Sequence, residues 1–246
     1  MNKRILVVCA HTADFCSRAG GTIIRYLNRG YTIKVIALTF GERGESREFW
    51  NANLNAAVAD CKAARKSEAL AAAGFLGIDI EFKDWDDYPL FISCEREAEL
   101  ALDIQNFAPD VLLTHYTNDP INEDHAVAAK AAIRAASIAN AARLKAPFEP
   151  IVIPDIFLFE STVPHTEFNG FSPDTYVDIT DVFNTKMEAL ARFTSQPFLG
   201  EYYTTYAQYR ARQAAGWTKN PAIKYAEGFE RYIPYVGEEL PLRQIR

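Results

Sequence analysis

Two short polar segments of this 246-residue chain carry side chains that could bind a metal ion. The first is His11-Thr12-Ala13-Asp14, which follows an apolar run, and the second ends in Asp124-His125. An imidazole and a carboxylate three residues apart on one loop can reach the same ion. Adding His125 gives two imidazoles and one carboxylate, which leaves positions open for water and substrate. Zinc is the usual occupant of such a site, and iron and manganese accept the same ligand types.

The predicted secondary structure places both segments at one edge of a sheet. Buried apolar runs alternate with helical patterns, which is typical of a parallel sheet covered on both faces. We therefore predict an α/β fold, a Rossmann-like sandwich with helices on both faces and an aromatic-rich C-terminal elaboration. The predicted strands are residues 4–9, 32–39, 79–82, 111–114 and 153–157, and the predicted helices are residues 18–29, 52–73, 95–107, 124–142 and 180–192.

All four histidines follow predicted strands. His11, His115, His125 and His165 each fall just beyond one. Open α/β sheets bind their ligands at the carboxyl ends of strands, so the four are expected on the ligand-binding side. For His115 two interpretations stay open. It could support the metal site from behind the ligands, or it could simply pack in the core.

The composition is that of an ordinary globular protein, with 49% hydrophobic and 24% charged residues. We predict a single domain over residues 1–246, with a core at 1–195 and a C-terminal extension at 196–246. The extension is rich in tyrosine and tryptophan. Such residues pack against a sheet or form subunit interfaces, and we expect a homo-oligomer.

Charge, hydropathy and cysteine spacing argue against several classes of partner. The net charge is −6 and no basic stripe is present, so no nucleic-acid partner is expected. No segment approaches the roughly 18 apolar residues that a membrane span needs, so no membrane association is expected. The 4 cysteines lack CxxC spacing. They are interpreted as reduced thiols of a cytoplasmic protein.

The two polar segments resemble motifs of the zinc-dependent de-N-acetylase superfamily, the PIG-L or LmbE-like proteins. These proteins carry A-H-P-D-D-E after the first strand and H-P-D-H later, where this chain reads AHTADF at 10–15 and NEDH at 122–125. The resemblance implies a zinc ion held by His11, Asp14 and His125. Two positions depart from the family. Ala13 replaces the aspartate that serves as general base, and Asn122 replaces the histidine that stabilises the oxyanion. Because a methyl group cannot accept a proton, amide hydrolysis lacks its usual base.

A narrower branch of the superfamily shares the A-H-[ST]-A-D-F pattern. This chain is similar to its hydratases, which add water to 4-oxalomesaconate or its enol tautomer 4-carboxy-2-hydroxymuconate in gallate or protocatechuate degradation. Matching motifs are GERGES at 41–46, NEDH at 122–125 and the stretch from 159 to 165. The resemblance implies a small polycarboxylate substrate, with Glu45 and His165 as the general acid and base. Which of the two gives the proton to carbon stays open.

Four further residues are predicted to bind the substrate. Arg43 could grip a carboxylate with a bidentate pair, and Ser46, Asn118 and Asn122 could add hydrogen bonds. Two alternative functions stay open. One is a zinc-dependent de-N-acetylase of a small N-acetylated amino sugar with a substituted base, for example Glu45. The other is a member that binds metal or sugar without turnover.

Overall fold

The computed structural model describes residues 3–141, 143–144, 150–162 and 166–241. This part of the chain forms one mixed sheet with helices packed on both faces. The strands are β1 (Arg4–Cys9), β2 (Thr32–Ala37), β3 (Asp79–Phe82), β4 (Val111–His115), β5 (Asp155–Phe159), β6 (Thr175–Asp178) and β7 (Ala226–Arg231). The helices are α1 (Asp14–Leu27), α2 (Arg47–Ala52), α3 (Val58–Leu76), α4 (Cys94–Phe107), α5 (Glu123–Ala141), α6 (Thr166–Asn169), α7 (Phe183–Leu190) and α8 (Leu199–Thr218).

The sheet has the strand order β3-β2-β1-β4-β5-β7-β6. The first five strands in this order are parallel, β7 is antiparallel to β5, and β6 is antiparallel to β7. At the centre, Val7 of β1 pairs with Val35 on one side and Leu113 on the other. The predicted α/β sandwich is therefore confirmed.

Two apolar layers hold the helices against the sheet. Successive side chains of a strand point to opposite faces, so Val7 and Leu6 belong to different layers. Val7 packs in the layer that α1, α3, α7 and α8 cover, and Leu6 packs in the layer that α4 and α5 cover. Because both faces are covered, β1 is an unbroken apolar run rather than an alternating one. None of the helices in the described part of the chain is long and apolar enough to cross a membrane.

Some element boundaries differ from those predicted. Helix α1 begins at Asp14 rather than at residue 18, because its first turn buries polar side chains that give no apolar periodicity. Strand β5 starts at Asp155 rather than at residue 153. Helix α8 and strand β7 were not predicted individually. β7 comes from the predicted C-terminal extension and lies inside the sheet, between β5 and β6.

Candidate active site

The candidate site lies where the carboxyl ends of neighbouring parallel strands meet. His11 follows β1, Asp14 opens α1, and His125 lies in the first turn of α5, after β4. Glu45 lies on the loop that leaves β2. Since β2, β1 and β4 are adjacent in the sheet, these loops converge at one edge.

Four side chains from these loops form what we call the donor cluster: His11, Asp14, Glu45 and His125. Each offers one ligand atom, and the four atoms lie within 4.8 Å of one another. His11 Nδ1 is 3.2 Å from Glu45 Oε1 and 3.2 Å from His125 Nε2. His125 Nε2 is 3.6 Å from Asp14 Oδ1. Both imidazoles are fully buried, whereas the Glu45 side chain is 15% exposed. A ligand therefore meets the cluster on its Glu45 side.

The far nitrogens of both imidazoles face carboxylates. His125 Nδ1 is 2.8 Å from Asp119 Oδ2, and His11 Nε2 is 3.5 Å from Asp124 Oδ2. A histidine that binds a metal through one nitrogen usually gives its other N–H to such an acceptor, which fixes the ring. His125 is supported in this way by a hydrogen bond, whereas His11 Nε2 makes only the longer contact. Imidazoles and carboxylates together suit zinc and similar divalent cations. The donor cluster thus fits the ion that the sequence implies.

Asp119 is itself fixed by backbone groups. Its Oδ1 accepts the N–H groups of Ile121 and Asn122, each at 3.1 Å. Its Oδ2 accepts the N–H of Thr162 at 2.8 Å as well as contacting His125. The carboxylate therefore ties the loop after β5 to the ring of His125.

Asp124 joins the loop after β3 to the site in the same way. Its carboxylate accepts the N–H groups of Tyr88 and Leu90 at 2.9 and 2.8 Å. One ligand atom each of His11, Asp87 and Asp124 lies within 4.8 Å of the others, so these three residues form a second group that could hold a metal ion. Both oxygens of Asp87 already accept the N–H of Arg43. These carboxylates therefore act as hydrogen-bond acceptors behind the donor cluster.

The loop that carries Glu45 makes a tight turn against His11. The backbone of Gly41 has φ +73°, and a Cβ there would lie 3.3 Å from the Cβ atoms of both Glu45 and His11. A side chain at this position would be strained and crowded, which explains the glycine. The N–H of Glu45 closes the turn on the Gly41 carbonyl at 3.2 Å.

Opposite charges stabilise each other inside the cluster. Burial disfavours the charged form of Glu45, but the charge and hydrogen bond of His11, together with the hydrogen bond of His125, hold the pKa of Glu45 well below its usual range. Burial likewise disfavours the protonated form of His11, and the Glu45 carboxylate raises the pKa of His11 well above its usual range. Glu45 is therefore a carboxylate at neutral pH and can accept a proton.

His115 lies behind the cluster rather than in it. It is fully buried at the end of β4, and its Nε2 accepts the N–H of Ala10 at 3.0 Å. The same nitrogen is 3.3 Å from Asp14 Oδ2. Burial, followed by the charge of His125, lowers the pKa of His115 to about 3. The ring is therefore neutral at physiological pH.

Three of the predicted substrate-binding residues lie away from the donor cluster. Arg43 Nη1 contacts Glu42 Oε1 and Asp86 Oδ1, each at 3.4 Å, on the outer side of its loop. Ser46 is fully buried, and its hydroxyl donates to the Gly41 carbonyl at 2.7 Å. Asn118 donates to the Asn169 carbonyl at 3.2 Å. Of the acidic side chains that Arg43 contacts, that of Asp86 follows β3, and the role of Arg43 in binding substrate stays a prediction.

The remaining residues singled out in the sequence differ in whether they reach the donor cluster. Asn122 Nδ2 donates to Glu45 Oε1 at 3.1 Å, so this residue does reach the cluster. Gln196 also reaches it, with Nε2 3.5 Å from Glu45 Oε2. No motif pointed to Gln196, and nothing in the local sequence distinguishes it. Ala13 is 2% exposed and lies in the core layer beside α1. His165, predicted as an acid or base, lies outside the described residues.

Comparisons with known proteins agree with this geometry. Residues 6–136 match the PIG-L family, described as GlcNAc-PI de-N-acetylase. The chain is 41% identical over 242 residues to the 4-oxalmesaconate hydratase of Pseudomonas putida, covering 97% of this chain and 92% of that protein. The crystal structure of GalB, the 4-carboxy-2-hydroxymuconate hydratase of Pseudomonas putida, superposes with a TM-score of 0.91 and 39% identity over 97% of this chain and 100% of that one.

A more distant relative shares the fold. The N,N'-diacetylchitobiose deacetylase of Pyrococcus horikoshii superposes with a TM-score of 0.76 and 21% identity, covering 93% of this chain and 83% of that chain. The family match spans β1 to α5, which includes the whole donor cluster. The chain therefore belongs to the PIG-L family.

Proposed function

We propose that the protein is a metal-dependent hydratase that adds water to 4-oxalomesaconate or to its enol tautomer 4-carboxy-2-hydroxymuconate, in gallate or protocatechuate degradation. The observation that carries the proposal is the place of Glu45, an ionised carboxylate on the open side of the donor cluster. The near-full-length likeness to a hydratase supports it. The alternative of amide hydrolysis would need Glu45 as its base, because the buried methyl group of Ala13 offers none.

His11, Asp14 and His125 are proposed to hold the ion, with zinc as its identity. A divalent ion held there would supply Lewis-acid polarisation of a substrate oxygen. The residues of the chain supply the proton transfers. Water adds through its oxygen to one carbon of the conjugated double bond, and the other carbon gains a proton. Glu45 is arranged to take the proton that the water loses, since it starts as a carboxylate.

His165 is proposed as the partner that protonates carbon. In the sequence it follows β5 and comes three positions after Thr162, whose N–H donates to Asp119 Oδ2. After one turnover Glu45 carries a proton and His165 has lost one. A single proton transfer from Glu45 to His165, directly or through solvent, restores the starting protonation state.

Asn122 is proposed to bind the substrate directly. Its Nδ2 donates a hydrogen bond to Glu45 Oε1, while its Oδ1 is buried and has no hydrogen-bond partner among the described residues. Such an oxygen can accept a hydrogen bond from the enol hydroxyl of the substrate. Arg43, with a side chain 42% exposed, would bind a carboxylate by exchanging its contact with Asp86. Ser46 and Asn118 are proposed to contribute through the loops they fix.

Ultraviolet absorbance of 4-carboxy-2-hydroxymuconate, mixed with zinc-loaded protein, tests the function. We expect a rapid decay of the enol absorbance that stops when a chelator is added. A Glu45→Gln variant with bound metal and no decay completes the assignment. If metal-loaded wild type leaves the absorbance unchanged and releases amine from N-acetylated amino sugars, the de-N-acetylase alternative replaces the proposal.

A cytoplasmic location and a homo-oligomeric state are proposed as well. The location rests on the free thiols of Cys9, Cys16 and Cys61, all buried. The oligomer rests on aromatic side chains that are exposed near both ends of α8, with Phe198 at 56% and Trp217 at 74%. Light scattering of the purified protein tests the assembly, and a monomer at micromolar concentration would contradict it.

A further inference from the structure

Two carboxamides hold the Glu45 carboxylate, one on each oxygen. Asn122 Nδ2 is 3.1 Å from Oε1, and Gln196 Nε2 is 3.5 Å from Oε2. Asn122 is 4% exposed and Gln196 is 5% exposed. The carbonyl oxygens of both carboxamides are buried and have no hydrogen-bond partner among the described residues. Both side chains are therefore buried beside Glu45 with their donor ends turned toward it.

Gln196 lies on a turn between α7 and α8 that is firmly built. Its N–H donates to the Phe193 carbonyl at 3.0 Å, and its own carbonyl accepts the N–H of Leu199 at 3.1 Å. Just before it, Ser195 donates its N–H and its hydroxyl to Glu68 Oε1, each at 2.7 Å. Thr194 Oγ1 contacts the same oxygen at 2.7 Å. One carboxylate oxygen of α3 thus fixes the turn that presents Gln196.

The same helix also holds the loop that carries Glu45. Arg65 is one turn from Glu68 on α3 and is fully buried. Its Nε donates to the Phe40 carbonyl at 3.0 Å, at the start of the Glu45 loop, and its Nη1 lies 3.3 Å from Glu68 Oε2. Arg65 and Glu68 therefore set the spacing between the two segments that meet at Glu45.

We propose that Gln196 is a positioning residue for hydration, which together with Asn122 grips both oxygens of Glu45 and aims the carboxylate at the substrate. The inference rests on the proposed function, because Glu45 is the base there. A carboxylate that is held through one oxygen only can still rotate about its side-chain torsions. A second donor on the other oxygen removes that freedom, so proton transfer starts from one geometry. Gln196 acts through Glu45 and does not contact the substrate.

A Gln196→Met variant tests the role, because methionine keeps the length of the side chain and removes its hydrogen-bonding groups. We expect kcat to fall at least about 10-fold, as for a misaligned base, with KM and metal content unchanged. Gln208→Met is the matched control. Gln208 is exposed on α8, so the same substitution there leaves kcat and KM unaltered. In a Glu45→Gln background, Gln196→Met is expected to cause no further loss.

Two results would overturn the role. One is an unchanged kcat in Gln196→Met. The other is a full additional loss in the Glu45→Gln background, which would mean that Gln196 acts independently of Glu45. Crystal structures separate this inference from the proposed function. If the wild type hydrates neither tautomer but Glu45 turns away in Gln196→Met, the positioning contact stands and the hydratase proposal fails.

Discussion

The imidazole rings of His115 and His125 stack almost parallel, with centroids 4.2 Å apart and 11° between their planes. The ring of Phe159 meets His115 edge-on at a centroid distance of 4.6 Å. His125 therefore packs against a neutral ring whose position is fixed by the sheet, since His115 is the last residue of β4. The orientation of the His125 ring is set by this stacking on one face and by the contact of its Nδ1 with Asp119.

The buried neutral state of His115 predicts a pH dependence of stability. Its pKa is lowered to about 3 in the folded protein, while the unfolded chain titrates near pH 6.5. Below pH 6.5 the unfolded state therefore binds a proton at His115 that the folded state does not bind. The titration of His115 leaves the free energy of unfolding unchanged above that pH and lowers it progressively as the pH falls toward 3. Between pH 7 and 5 the loss amounts to about 2 kcal/mol.

Comparison with His115→Gln checks this expectation, since glutamine keeps an acceptor for the N–H of Ala10. Urea unfolding in the presence of a chelator, at pH 7, 6 and 5, excludes any contribution from metal release. The free energy of unfolding should fall more steeply with decreasing pH in the wild type than in the variant. Equal slopes would show that His115 titrates normally.

Substitutions within the donor cluster should separate metal binding from turnover. His125→Ala is expected to lose metal and activity together, because it removes a ligand. Glu45→Gln is expected to keep the metal and to lower kcat about 10²- to 10⁴-fold, the range for loss of a general acid or base. Metal content by elemental analysis and hydration by absorbance give the two readouts. A Glu45→Gln variant with near-normal kcat would remove Glu45 from the proton transfer.

Asp119→Asn is expected to weaken metal binding about 10- to 100-fold without removing a ligand. Asp119 both orients His125 and accepts the N–H of Thr162, and an amide replaces its charge and one of its acceptors. Asp110→Asn makes the same change at an exposed contact to the N–H of Arg4 and should leave affinity unaltered. Competition with a fluorescent chelator measures both. Equal affinities for the two variants would contradict the orienting role.

Two glycines in helices should respond oppositely to alanine. A Cβ at Gly21 of α1 would lie 2.6 Å from Ile179 Cγ2, and Ile179 is fully buried, so the Gly21→Ala variant is expected to lose about 1–3 kcal/mol. Gly74 of α3 has open space at that position, and Gly74→Ala should gain about 0.5–1 kcal/mol from helix propensity. Thermal unfolding should therefore shift Tm downward in the first variant and upward in the second. A stable Gly21→Ala protein would mean that α1 and Ile179 can move apart.

The sequence predicted those parts of the fold that depend on local pattern. The boundaries of β1 and β3 agree with prediction. The start of α1 was missed because Asp14 and Arg18 are buried through contacts to one another, which an apolar pattern does not show. A motif located His11, Asp14 and His125, and the structure brings their ligand atoms together.

What sequence could not supply are contacts between distant segments. Gln196 lies 151 positions from Glu45, and its place depends on Glu68 of α3. The contacts of Arg43 with Asp86 and Glu42 were likewise not predicted, and one of them joins it to a segment more than forty positions away. Hydrogen bonds and ion pairs between distant segments leave no local signal in a single sequence.

The Arg65–Glu68 ion pair on α3 joins two segments of the site, the loop that carries Glu45 and the turn that carries Gln196. These two segments can change separately. The side chains proposed to bind the cation all come from residues before 126, whereas the proposed alignment of Glu45 depends on a turn about seventy residues later, which a single oxygen of Glu68 fixes. If both proposals hold, a change in this turn would alter the orientation of Glu45 and leave the cation site intact. The chemistry of the site could then diverge through the later turn while the earlier residues continued to bind the ion.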